Sequence, residues 1–206
     1  MLFFTQLAAL LVYPAMEGNE VGRALFSVLG IGFLGLVVLA VRSSPTWTWL
    51  GLLLAAPASV LLLAQAVSGS DALLPYSSAL EAVLYFYAAA GLIAYMLADH
   101  EITRDELFAV GATFTLVAWA FAYVYFVCQA AAPVSFTAAV RPTGDRSWVE
   151  LLFLSFTTLS STGLSDVVPI RPFARSLVML EQVGGVAYVA MVVSRLVGLT
   201  VMRRPR

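Results

Sequence analysis

Long apolar runs separated by short polar connectors set the pattern of this chain. Four runs, Val21 to Val41, Thr46 to Val67, Ser78 to Ala98 and Leu107 to Cys128, are each long enough to cross a bilayer as a helix. The hydrocarbon layer is roughly 30 Å thick and a helix rises about 1.5 Å per residue. A fifth run, Phe173 to Met202, is longer and carries Gly184, Gly185 and Gly198. The opening stretch "MLFFTQLAALLVYPAM" holds about 16 residues with Pro14 near its end. That length fits a short first span or a helix lying in the interface. It lacks the basic start and small-residue cleavage site of a signal peptide. The connectors "VRSSPT", "SGSDALLPY" and "DHEITRDE" are too short for a soluble domain. In the last of them, Thr103 and Glu106 have capping-box spacing and predict a helix start.

The apolar rhythm breaks between Cys128 and Phe173, where about 44 residues intervene. Such a length exceeds an ordinary connection. "QAAAPVSFTAAVRPTGD" reads as a polar-leaning loop. In "SWVELLFLSFTTLSS", Ser147 and Glu150 form a second capping box. A helix from Trp148 to about Leu159 would be only roughly 18 Å long, half a membrane, so the chain must turn back. The stretch that follows, "TTLSSTGLSDVVPI" from Thr157 to Ile170, is crowded with hydroxyls around one glycine. Non-helical backbone at membrane depth is tolerated only inside protein or along a watery path. Carbonyls and hydroxyls there suit a cation, and the short helix would aim its negative C-terminal end toward it.

Composition agrees with a membrane chain. Of 206 residues, 61% are hydrophobic and 11% charged, with mean hydropathy +0.93. Net charge is −1 and all 11 basic residues are Arg, with no run that suggests nucleic acid. A single cysteine, Cys128, excludes an intrachain disulfide and a Cys-based metal site, and is expected to fill space in a helix. His100, the only histidine, falls in a connector and is expected to be solvated, with a pH response as its one special role. With both ends cytoplasmic, Arg42, Arg104, Arg203, Arg204 and Arg206 lie inside, which slightly favours that orientation under the positive-inside rule.

The order outer helix, half-helix, "TTLSSTGLSD", Pro169 and glycine-bearing inner helix resembles the pore module of the potassium-channel superfamily. The likeness runs from about Ile102 to Leu199 and is closest to small bacterial ion-channel proteins. It is carried by "SF" at Ser155, "TL" at Thr158, Gly163, Asp166, Pro169, "ARSL" from Ala174, Leu180 with Glu181, Gly185, Tyr188 and "RLVG" from Arg195. The resemblance implies an all-α membrane protein forming a homotetramer around a central pore. Its pore domain would be 102–206, with outer helix 104–128, pore helix 148–159, filter 160–166 and inner helix 173–202. Residues 1–101 would form three or four additional transmembrane helices around it. It further implies passive transport of monovalent cations, no cofactor beyond bound potassium or sodium ions, and a multi-pass place in the inner cell membrane.

Potassium filters of that family typically read Thr-Val-Gly-Tyr-Gly-Asp. Here Ser160 is followed by Ser161, Thr162, Gly163, Leu164, Ser165 and Asp166. Leu164 replaces the bracing tyrosine, and Phe153 and Leu154 stand where some relatives carry pore-helix tryptophans. Ser165 replaces a glycine that is left-handed in the family, a conformation costing an L-residue on the order of 1 kcal/mol or more. The expectation is a filter with fewer carbonyl sites and weakened potassium selectivity. Its cation would be held at Ser161, Thr162 and Gly163. Asp166 is either an acidic ring at the mouth or a carboxylate capped by local amides.

Thr157 and Thr158 are read as filter support. Glu181 lies well inside the last span, where ionisable residues are functional or buried with a partner. It would brace the filter or face the cavity as an ion site. Gly184 and Gly185 are a gating hinge or a packing surface, and both readings stand. Arg195 is expected to snorkel to the inner interface. The span "SALEAVLYFYAAAGLIAYML" has no Arg or Lys, so a voltage sensor is not expected, nor is a cytoplasmic regulatory domain. Two rival functions remain: a non-conducting channel-like scaffold subunit, and an intramembrane serine protease using Ser165. The latter would need a base that the lone His100 is badly placed to supply.

Overall fold

The computed structural model describes residues 2–16, 35, 48–68, 71–98 and 104–202. The expected span Val21 to Val41, the connectors around Arg42 and His100, Thr103, and the terminal Arg203, Arg204 and Arg206 lie outside the described residues. The described chain is mostly helical: α1 (Leu2–Met16), α2 (Thr48–Ser68), α3 (Leu74–Leu97), α4 (Arg104–Ala131), α5 (Trp148–Leu159) and α6 (Pro172–Met202). A two-stranded antiparallel sheet joins β1 (Phe136–Ala138) to β2 (Val167–Pro169). Three helices are long and apolar enough to cross a membrane, over Leu74–Leu97, Glu106–Ala131 and Pro172–Gly198. Leu2–Val12, Trp49–Gln65 and Trp148–Leu159 are shorter apolar helices.

Two boundaries differ from the sequence expectation, each for a local reason. Helix α3 starts four residues before Ser78, because Pro75 fits the first helical turn, where no amide partner is needed. Helix α4 runs past Cys128 to Ala131 and ends two residues before Pro133, which disfavours a helical residue ahead of it. The loop beyond it, expected to be without regular structure, carries β1.

Helices α2, α3 and α4 pack in a row around Ala55, Ala58, Leu84, Ala88, Leu116 and Ala120. Small residues let these backbones approach closely, the usual basis of helix association in lipid. Helix α1 docks on α4 where Gly111 leaves room: a Cβ there would come within 2.7 Å of the Phe3 ring. A second core joins the C-terminal end of α4 to the sheet, α5 and the start of α6, through Tyr125, Phe136, Leu151, Leu154, Val167 and Ala174. Helix α5 is therefore held between α4 and α6, and the polar segment after it is positioned from both sides.

Candidate functional site

The half-length helix α5 is capped at both ends by its own residues. At its start, the Ser147 hydroxyl accepts from the Glu150 amide at 3.3 Å, and the Glu150 carboxylate accepts from the Ser147 amide at 2.7 Å. Trp148 wedges this end against α4, with ring centroids 5.5 Å from both Trp119 and Tyr123. The loop before it is held by Gln129, whose side chain donates to the Arg146 carbonyl at 2.8 Å and accepts from the Arg146 amide at 2.9 Å. The buried Arg146 guanidinium donates to the Thr143 and Gly144 carbonyls and pairs with Glu150 at 3.8 Å. Arg141 reaches the same carboxylate at 3.0 Å. Burial alone would raise the Glu150 carboxyl, but the Ser147 amide and the two guanidiniums outweigh it and hold it below the ordinary carboxylate value.

At the other end the chain leaves α5 through a Schellman motif. The Ser161 amide donates to the Thr158 carbonyl at 3.0 Å and the Thr162 amide to the Thr157 carbonyl at 2.9 Å. The motif requires a left-handed residue just past the cap, and Ser161 takes that place with φ +59°. Gly163 is left-handed too, at +66°, and its amide also reaches Thr157 O at 3.1 Å. Ser165, the position where strain was expected, keeps an ordinary φ, and its hydroxyl accepts from the Val167 amide at 3.1 Å. The left-handed L-residue of the segment after α5 thus lies at Ser161.

Ser160 to Leu164 and Asp166 are exposed in the single chain. Their surroundings divide cleanly. The Thr157 and Thr158 side chains are buried, and their carbonyls are taken up by the turn amides. Hydroxyls of Ser160 and Thr162 lie 3.1 Å apart, and both lean on carbonyls of the last helical turn. Asp166 has no hydrogen bond or ion pair among the described residues, so the reading of a carboxylate capped by local amides does not describe it.

Behind this segment Glu181 is 0% exposed. It accepts hydrogen bonds from the Tyr125 hydroxyl of α4 and the Ser155 hydroxyl of α5. Ser155 is also 2.7 Å from the Ala118 carbonyl. One carboxyl group therefore ties α6, α4 and α5 together, and it does not face a cavity. A Cβ on Gly185 would overlap the Leu159 carbonyl oxygen, whereas Gly184 has open space around it. Nearer the other end of α6, the Tyr188 hydroxyl donates to the Val110 carbonyl at 2.7 Å. Arg195, read from sequence as snorkelling, instead pairs with Glu106 of α4 at 2.7 Å. Both side chains are mostly buried, because the start of α4 and the end of α6 pack together there.

Sequence reading missed Tyr125, Ser155, Gln129 and Arg146 as parts of this apparatus. Ser155 alone carried a signal, a hydroxyl on the otherwise apolar face of a half-helix. A family model described as "Ion channel" matches residues 82–201, more than half of the chain. The chain belongs to this ion channel family. It carries an ion-channel-superfamily pore domain, and the family transports ions rather than performing chemistry on a substrate. No curated protein and no solved structure matches the chain. The membrane-competent helices and the family together make it a membrane protein.

Proposed function

We propose that four copies of this channel protein surround a pore that passes monovalent cations, with Ser160 to Asp166 as its filter and only weak preference for potassium. The observation that carries this reading is the exposed backbone after α5. The carbonyls of Ser161, Thr162, Gly163 and Leu164 accept no hydrogen bond among the described residues, while the segment behind them is sealed by Glu181, Ser155 and Tyr125. Free carbonyl oxygens at the negative end of a half-helix suit a partly dehydrated cation. Ordinary φ at Ser165 supports loss of the outermost carbonyl site. Four exposed Asp166 carboxylates would form an acidic ring that concentrates cations at the mouth. In this reading Thr157, Thr158 and Glu181 support the filter, Gly185 is a packing contact, and Gly184 is left as the freer position of the pair. The place of the protein is a cell membrane, the inner one in a bacterium.

The test is flux into liposomes holding the purified protein, with potassium, sodium and a large organic cation compared. Entry of both small ions and exclusion of the large one is the expected result. Potassium-only flux would refute weak selectivity. Silence from well-folded tetramers would overturn conduction and favour a scaffold subunit.

A further inference from the structure

We infer that the β1–β2 ladder is the brace that sets the outer end of the filter, so that residues about 30 positions upstream determine its selectivity. The inference rests on reading Ser160 to Asp166 as a cation filter. Within one chain, the side chains of the filter do little to hold its outer half. Leu164 is 77% exposed, Phe153 of α5 is 47% exposed, and Asp166 has no hydrogen bond or ion pair among the described residues. The inner half is fixed by the Schellman turn up to Gly163. The next fixed point is Val167, the first residue of β2. Leu164, Ser165 and Asp166 are strung between these two anchors, with one side-chain bond, Ser165 to the Val167 amide.

The second anchor is built with care. Ile170 donates its amide to the Ser135 carbonyl at 2.9 Å, which makes Ser135 and Ile170 a hydrogen-bonded pair. Antiparallel pairs alternate. With Phe136 opposite Pro169, Thr137 opposite Val168 and Ala138 opposite Val167, the bonded rung falls at Thr137–Val168. Pro169, which has no amide proton, then falls at a non-bonded pair where none is needed. Phe136, Ala138 and Val167 are buried against Tyr125, Leu151 and Leu154. Arg175 of α6 donates to the Pro169 carbonyl at 3.2 Å, whereas the exposed Thr137 hydroxyl stays within its own loop, donating to the Pro142 carbonyl at 2.9 Å. The ladder is thereby fastened to outer, pore and inner helices at once. Carbonyl direction in the filter follows from where its ends are held, and ion preference follows from carbonyl number and stiffness.

The experiment uses the full chain in liposomes, in a Cys128→Ala background so that the native thiol cannot exchange. Thr137→Pro removes the amide of the bonded rung, and Thr137→Val removes only the hydroxyl. Ala138→Cys with Val167→Cys places a disulfide across a non-bonded pair, whose close Cα spacing suits one. Two readouts are taken: the potassium-to-sodium permeability ratio, and the backbone order parameters of Leu164 to Asp166. Thr137→Pro is expected to change the ratio several-fold and to lower the order parameters from the rigid value of about 0.85 toward about 0.6. Thr137→Val is expected to change neither, and oxidation of the cysteine pair in the Thr137→Pro chain to reverse both. Unchanged order parameters across these residues, with the Val168 amide shown to exchange freely, overturn the brace. If Thr137→Pro fails to fold, the cysteine pair in the otherwise unaltered chain decides: its oxidation must raise the order parameters, and no rise overturns the proposal. Silent flux in every variant refutes the channel reading, while the order-parameter arm still decides the brace.

Discussion

A single φ angle changes where the weakness of the proposed filter lies. Ser161 holds a left-handed conformation that glycine adopts freely and that costs other L-residues roughly 1–2 kcal/mol. Its hydroxyl makes no hydrogen bond among the described residues, so nothing local offsets that cost. Ser161→Gly is therefore expected to leave stability unchanged or raise it by up to about 1 kcal/mol per subunit, and Ser161→Val to lower it by about 1–2 kcal/mol. Thermal unfolding in detergent measures both. A fall for the glycine variant would mean that the hydroxyl is held by a neighbouring copy. Glu150 gives a second prediction at this scale. Its carboxyl is held below the ordinary value, so its contribution to stability is complete above the unfolded-state pKa of about 4.3. That contribution is lost as pH falls through the lower folded-state pKa. The melting temperature should decline below about pH 4.5, and Glu150→Gln should remove that part of the decline while lowering stability at neutral pH. The side chain is partly exposed, so the effect is the modest one of screened ion pairs.

Among elements, the contact of α6 with the end of α5 decides the two glycines. Gly185 abuts the Leu159 carbonyl, a backbone atom that cannot swing aside, and Gly184 abuts nothing in its own chain. Gly185→Ala is expected to cost about 1–3 kcal/mol, the usual range for overpacking, and to lower the yield of folded protein. Gly184→Ala is expected to be far milder in the same thermal and yield assays. Equal, small effects would refute the packing role. The helices themselves were legible in the sequence: Ser147 and Glu150 announced the start of α5, and the hydroxyl run announced where it must stop. The joints were not. Glu181 is visible as a misplaced charge, but that Tyr125 and Ser155 meet it depends on the rotation of three helices. Hydropathy that is apolar all round does not specify rotation. The strand Phe136–Ala138 was hidden because three residues carry no readable period and its partner lies beyond α5. Arg195 looked like an interface anchor because its partner, Glu106, is 89 positions away.

On the scale of the whole molecule, the two flanks of the pore domain are unequal. Helices α3 and α4 have 44% and 50% of their apolar windows buried within the chain, whereas α6 has 17%. One side of α4 is covered by α3, with α2 on the far side of α3, and α4 also carries α1, while α6 presents Val183, Val186, Val193 and Val197 uncovered. Lipid can cover such a face as readily as protein can, so exposure alone does not choose between them. The two coverings respond differently to added bulk. Fluid lipid makes room for a larger apolar side chain, and a packed helix interface does not. The tetramer proposed above therefore predicts that Val→Trp changes at two or more of these four positions reduce the four-copy species seen by native mass spectrometry. Leu53→Trp, on the exposed face of α2, should leave it intact. If all four α6 variants keep their stoichiometry, the bare face of α6 meets lipid or water instead of another copy. The pore would then have to be bounded by other surfaces.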